Sequence, residues 1–174
     1  MQHVADSSAR MFVRDAAGAD VAALNRLKAG DALHRDRLRD AAASPDFRYL
    51  VLVRDEEVIG FACLVFVRPA SWSDADDTSR LPQIVDLLVA PHLRGRGYGS
   101  QFIREMERIA AGRGHRCLYI SVDYPANERA HALYRRLGYQ QIQPKPILSR
   151  WQFTDSAGHV HRGEDWRVDM VKVL

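Results

Sequence analysis

Cysteine is scarce, with only Cys63 and Cys117 in a chain of 174 residues. The two lie far apart in apolar, strand-like runs without metal-ligand spacing. This excludes a disulfide-stapled scaffold and predicts two buried thiols. Long hydrophobic runs are also missing, since no apolar stretch approaches the ~20 residues that span a bilayer. The opening MQHVADSSAR has neither a basic head nor an apolar stretch, so residues 1–10 read as a flexible leader and not as a secretory signal. A cytoplasmic protein with no membrane partner is expected. No lysine precedes Ser100 in the glycine-rich GRGYGS. That excludes a nucleoside-triphosphate P-loop, which needs G-x-x-x-x-G-K-[ST]. His159 and His161 form an H-x-H pair without a third convincing ligand, so they read as surface or substrate-rim residues and no metal is expected.

Charge is sparse in net terms, +3 over the chain, but unevenly placed. Residues 91–150 hold eleven Lys or Arg against four acids, whereas residues 51–90 hold seven acids against three basic residues. An anionic ligand is expected in the second half, and a cationic one near the acidic stretch that includes Asp74, Asp76 and Asp77. Nucleic acid is not required.

Hydrophobic periodicity orders the elements. MFVR is a short strand; Val21, Leu24 and Leu27 form a helical stripe capped by Asp15 or Asp20, and a second helix covers residues 31–42. FRYLVLVRDEEVIGFACLVFVR reads as an antiparallel hairpin turning at Asp55 to Glu57, and the polar PASWSDADDTSR as a surface loop. IVDLLV is a strand, Gly99 to Ala111 a helix, CLYISVDY a strand, and PANERAHALYRRLG a helix opened by its proline and closed by a glycine C-cap. SRWQF and WRVDMVKVL close the chain as strands, with a turn at DSAG between them and Trp166, Val168 and Met170 on one side of the last. The order predicts an α+β fold around one mixed, mostly antiparallel sheet flanked by helices.

The stretch LLVAPHLRGRGYGSQFIREMERIA leaves a strand, crosses three alternating glycines and enters a helix. Gly95, Gly97 and Gly99 let backbone N–H groups converge on one point, and the helix adds its positive N-terminal end. Arg94 and Arg96 bracket this phosphate cradle. A dinucleotide site is the first alternative, because GRGYGS approximates G-x-G-x-x-[GA] and Asp123 ends the next strand. Against it, the glycines begin five residues beyond Ala90 and an antiparallel hairpin precedes them, where a dinucleotide domain would open on a βαβ unit.

VAPHLRGRGYGSQFI resembles the coenzyme A loop of the GNAT superfamily of acyl-CoA-dependent N-acyltransferases, [RQ]-x-x-G-x-[GA], filled here by Arg94, Gly97 and Gly99. NERAHALYRRLGY is similar to that family's later motif, with Asn127, Tyr134 and Leu137-Gly138-Tyr139 in place. The resemblance covers residues 11–143 and implies a single domain over 11–174 in which a central pair of parallel strands splays apart. It implies that backbone groups of Leu88 and Val89 pair with the pantetheine arm, that amides from Arg94 through Gly95, Arg96, Gly97, Tyr98, Gly99 and Ser100 surround the pyrophosphate, and that Asn127 bonds coenzyme A. Asn127 is equally an N-cap for its helix. Tyr134 is the residue the resemblance places beside the sulfur, as proton donor to the thiolate; its helical stripe alone would make it a packed aromatic. The family's glutamate slot falls at Gln83, which cannot act as a base, and Asp86 is the next carboxylate: a base, an ammonium anchor, or a strand acid bonded to backbone. The function implied is N-acetyl transfer from acetyl-CoA to a primary amine, and the acidic stretch favours a small cationic acceptor. The alternative is a non-catalytic acyl-CoA sensor or partner-binding module, and the terminal strand edges offer a homodimer contact.

Overall fold

The computed structural model describes residues 10–67 and 81–174. The acidic Asp74, Asp76 and Asp77, and most of the leader, lie outside the described residues. The chain runs through β1 (Met11–Asp15), α1 (Val21–Leu27), α2 (Asp31–Ala43), β2 (Phe47–Arg54), β3 (Glu57–Val65) and β4 (Gln83–Val89). It continues through α3 (Tyr98–Gly112), β5 (Cys117–Asp123), α4 (Glu128–Arg136), β6 (Gln140–Gln141), β7 (Ile147–Thr154) and β8 (Val160–Val173). These strands form one sheet in the order β1-β2-β3-β4-β5-β8-β6, with β7 paired to β8. Among the described residues every pairing is antiparallel except that of β4 with β5. The mixed, mostly antiparallel sheet and its central parallel pair are thus as expected.

The sheet is covered on both faces, which explains the near-continuous apolar runs of β2 and β3. One core layer joins Leu50, Ile84, Leu118, Ile120, Val122 and Val168 to Phe102, Ile103 and Met106 of α3. The other joins Val51, Phe61, Cys63 and Val65 to Leu24 of α1 and Leu38 of α2. Within this second layer His34 is fully buried, and its ring nitrogens sit 2.7 Å from the Tyr49 hydroxyl and 2.7 Å from the Lys28 carbonyl. A carbonyl only accepts, so Nε2 carries the proton and Nδ1 accepts from Tyr49. Burial lowers the His34 pKa and keeps this ring neutral. The β2–β3 hairpin turns through Asp55 and Glu56, both at positive φ (48° and 68°), the handedness that a two-residue hairpin needs to match strand twist.

Several boundaries and partners differ from expectation. Asp20 stands at the start of α1 but caps none of its amides: its carboxylate takes Arg14 at 2.7 and 2.8 Å and the Ala17 N–H at 2.7 Å. The helix expected from Pro125 begins at Glu128, because Asn127 supplies the cap by accepting from the Ala130 N–H at 3.3 Å. Cys117 is half-buried, while Cys63 is buried, and both are free thiols. The last strand starts at Val160, well before Trp166, because it pairs with β7 residue for residue from Thr154 back to Ile147. His159 lies in that hairpin's turn and His161 at the start of β8 opposite Phe153, both bonded to Asp155 Oδ2, at 3.2 and 2.9 Å.

Gly60 lies opposite Val89, and a Cβ added there would stand 2.6 Å from the Leu88 carbonyl oxygen. Gly60→Ala should therefore force β3 and β4 apart and destabilise the fold by about 1–3 kcal/mol, read as a lower urea midpoint. An unchanged midpoint would show that the two strands can part without loss. The hydrogen bond from His161, ahead of those from the His159 backbone and ring, holds the Asp155 carboxyl down at about 2. A depressed carboxyl stabilises the fold above its unfolded pKa, about 4, and the contribution fades as pH falls through the folded value. The thermal midpoint of Asp155→Asn should fall below wild type at pH 7 and converge with it as pH drops from about 4 toward 2.

Candidate active site

β4 and β5 run side by side for only two residue pairs, Gln83 with Tyr119 and Ile84 with Ile120. Beyond them β4 is interrupted: its register against β3 moves from Val85 opposite Cys63 to Leu88 opposite Phe61, which inserts one extra residue. At this bulge Asp86 adopts φ 54°, a conformation uncommon outside glycine. Its carboxylate pairs with the buried Arg37 of α2 and lies 3.9 Å from Lys28 Nζ. The two strands then enclose a cleft of about 300 Å³, floored by Gln83 to Leu87 on one side and Tyr119 to Asp123 on the other.

The glycine loop follows at the end of β4. Pro91–Leu93 makes a single 3₁₀ turn, and Arg94 Nε donates to the Val89 carbonyl at 3.2 Å, folding the loop back on the strand. Gly95 and Gly97 both take positive φ, 81° and 87°. A Cβ on Gly97 would meet nothing within 4 Å, so backbone conformation and not space requires glycine there. The first helical bond runs from the Gln101 N–H to the Gly97 carbonyl at 3.1 Å. The amides of Tyr98, Gly99 and Ser100 are therefore left at the N-terminus of the fifteen-residue α3, where its dipole favours an anion. Arg129 of α4 reaches over the same loop, its Nη2 3.1 Å from where a Gly95 Cβ would lie. That cation is one the sequence motifs did not mark.

Tyr134, on α4, borders the cleft and is 6% exposed. Burial raises its pKa well above the ordinary phenol value, so the hydroxyl keeps its proton. Asn127 also borders the cleft; its cap uses Oδ1 and leaves the amide nitrogen as the group able to meet a ligand. Gln83 is 2% exposed and faces the same space. Leu88 and Val89 pair with Phe61 and Gly60 on the β3 side, while their opposite edge has no β5 pairing beyond Ile84.

Other lining residues come from elements the motifs do not include: Ser149 and Trp151 of β7, and Asp165 and Arg167 of β8. The signal was there in the alternation of EDWRVDM. With Val168 and Met170 in the core beneath α3, Asp165 and Arg167 must face the other way. Chemically, the arrangement joins an anion-binding helix end, an unpaired strand edge, a buried protonated phenol and several carboxylates around one opening.

The model of the acetyltransferase (GNAT) family matches residues 19–139. Over 114 residues the chain is 29% identical to an uncharacterised N-acetyltransferase of Methanocaldococcus jannaschii, covering 60% of this chain and 47% of that one. Over 110 residues it is 28% identical to the aminoalkylphosphonate N-acetyltransferase of Salmonella typhimurium, covering 62% of this chain and 66% of the relative. The chain thus spans about half of the first relative's length and just under two thirds of the second's. Among solved structures, the PaiA N-acetyltransferase of Thermoplasma acidophilum in complex with coenzyme A superposes with a TM-score of 0.69 at 14% identity, over 95% of this chain and 99% of that one. At that identity the likeness is one of fold. With a family match over more than half its length, and with the bulged strand, glycine loop and α3 in the arrangement described, this chain belongs to the acetyltransferase (GNAT) family.

Proposed function

We propose that the protein is an N-acetyltransferase that moves an acetyl group from acetyl-CoA to a primary amine by direct attack in a ternary complex, with a small cationic amine as acceptor. One observation carries the reading: the buried Tyr134 borders the opening where β4 and β5 part, and the strand that forms one wall of that opening runs on through the glycine loop into the amide-rich N-terminus of α3. In this reading the amides from Arg94 through Ser100 hold the pyrophosphate, with Arg94, Arg96 and Arg129 adding charge. The free edge of β4 at Leu88 and Val89 takes the pantetheine amides like an added strand, and Asn127 offers its side-chain nitrogen. The thioester then lies between the strands, with Tyr134 positioned to protonate the departing thiolate.

Acyl transfer by this route needs a neutral amine, a proton for sulfur and no covalent enzyme intermediate. Asp86 is committed to Arg37 and Lys28, so in this reading it anchors the acceptor side of the cleft and does not itself take the proton. A coenzyme A sensor without turnover is the rival, favoured by Gln83 standing where an acid would serve. A phenol on the cleft wall that keeps its proton favours the enzyme, because it can give that proton to a departing thiolate.

Calorimetric titration with acetyl-CoA and NAD side by side should show binding of the first alone. NAD binding without acetyl-CoA binding would remove the acetyltransferase reading. Tyr134→Phe should slow amine-dependent thiol release by about 10²-fold while leaving the acetyl-CoA dissociation constant within about twofold. A sensor would show no turnover in either protein.

A further inference from the structure

Strand alternation gives the sheet two unlike faces around the cleft. On β5, Leu118, Ile120 and Val122 enter the core beneath α3 and α4, so Tyr119, Ser121 and Asp123 face the opposite side. On β8, Val168 and Met170 enter the same core, so Asp165, Arg167 and Asp169 share the face of Asp123. Asp123 is in register with Arg167, which places Asp165 two residues further along β8 on the same face. The helices of that side, α1 and α2, pack on β3 and β2, leaving this polar strip to the cleft.

The charges of the strip do not all cancel. Arg167 is engaged by Ser149 Oγ at 2.8 Å and by Asp169 at 3.2 Å, and Asp86 by Arg37 and Lys28. Asp123 and Asp165 have no cationic partner among the described residues, and both line the cavity. The Trp151 indole N–H donates to Asp165 Oδ2 at 2.5 Å, fixing that carboxylate toward the opening. Gln83 and Tyr134, each more than nine-tenths buried, border the same space. With the two acids they give the cavity a polar lining with a few convergent charged groups, which suits a small cationic ligand.

Resting on the acetyltransferase reading, we propose that Asp123 and Asp165 receive a dicationic acceptor, Asp123 taking the proton of the reacting ammonium and Asp165 pairing with a second cationic group. Burial, and then the charge of Asp165, raises the Asp123 pKa, which suits a carboxylate that must accept a proton. The ammonium proton passes to Asp123 and on to solvent. The freed nitrogen lone pair forms the C–N bond at the thioester carbonyl as the C–S bond breaks. The thiolate takes the Tyr134 proton, and the second proton shed by nitrogen restores the tyrosine. The substrate class is a short aliphatic diamine or polyamine.

The test titrates 1,4-diaminobutane, butylamine and 2-aminoethylphosphonate into wild type, Asp123→Asn and Asp165→Asn, with and without coenzyme A, and measures thiol release with acetyl-CoA. The diamine should bind about tenfold more tightly than butylamine in wild type, and Asp165→Asn should shrink that ratio to about twofold or less. Asp123→Asn should lower kcat by about 10²-fold. Acetyl-CoA binding and thermal midpoints close to wild type show that the variants are folded. Equal binding of diamine and butylamine, an unchanged ratio in Asp165→Asn, or preferred binding of the phosphonate would overturn the proposal. Loss of acetyl-CoA binding by wild type would instead overturn the acetyltransferase reading, while the amine ratio would still report on the two acids.

Discussion

The ion pair between Asp86 and Arg37 fixes the place where the sheet opens. Asp86 holds φ 54° in the middle of a strand, a conformation that costs an L-residue about 1 kcal/mol. Arg37 is a guanidinium almost wholly buried against the sheet, and such a charge is strongly disfavoured without a counter-ion. Each supplies what the other lacks, with Lys28 adding positive charge from the rim. The result is a bulge that ends the pairing of β4 with β5 after two residue pairs. Backbone groups left unpaired there need either water or a ligand strand, so the opening is an edge that invites an extended polar chain.

From that opening the two faces diverge in chemistry. Beneath α3 and α4 the sheet is packed with Ile84, Leu118, Ile120, Val122, Val168 and Met170, and this layer rigidly seats both helices. The N-terminus of α3 and Tyr134 of α4 are held in place by a core, not by loops, which suits groups that must meet a bound molecule at fixed distance. The opposite face near β5 and β8 carries Asp123, Asp165, Arg167 and Asp169. The same alternation that builds the core generates this polar strip, so the proposed cofactor and acceptor sides arise from one strand pattern.

Much of this was legible in the sequence. The two motifs, the hairpin and the strand order follow from local signals: glycine spacing, apolar runs and turn residues. Tyr134 was recognised by its motif, whereas its helical stripe alone argued for packing, and it is in fact both buried and at the cleft. What was not legible depends on contacts distant in sequence. Asp20 looked like a cap, but Arg14 across the turn competes for its carboxylate more strongly than neutral amides do. HVHRGED lacks apolar alternation and becomes strand because β7 pairs with it, with Gly163 accommodating the ring of Trp151. Nothing in the neighbourhood of Asp86 announces that Lys28 and Arg37 will meet it.

This division has a physical cause that bears on function. The groups proposed to hold the cofactor, from Val89 to Ser100, are contiguous, so in that reading one stretch of sequence encodes both the conformation and the chemistry of the cradle. The cleft proposed to take the acceptor is assembled from β4, β5, β7 and β8, whose side chains reach it through alternation and register. A shift of one residue in β8 would turn Asp165 and Arg167 toward the core and bring Trp166 and Val168 to the cleft. In the proposed reading acceptor choice is therefore a property of register and strand pairing, and proteins that share the glycine-loop motif can differ in acceptor without any change in that motif.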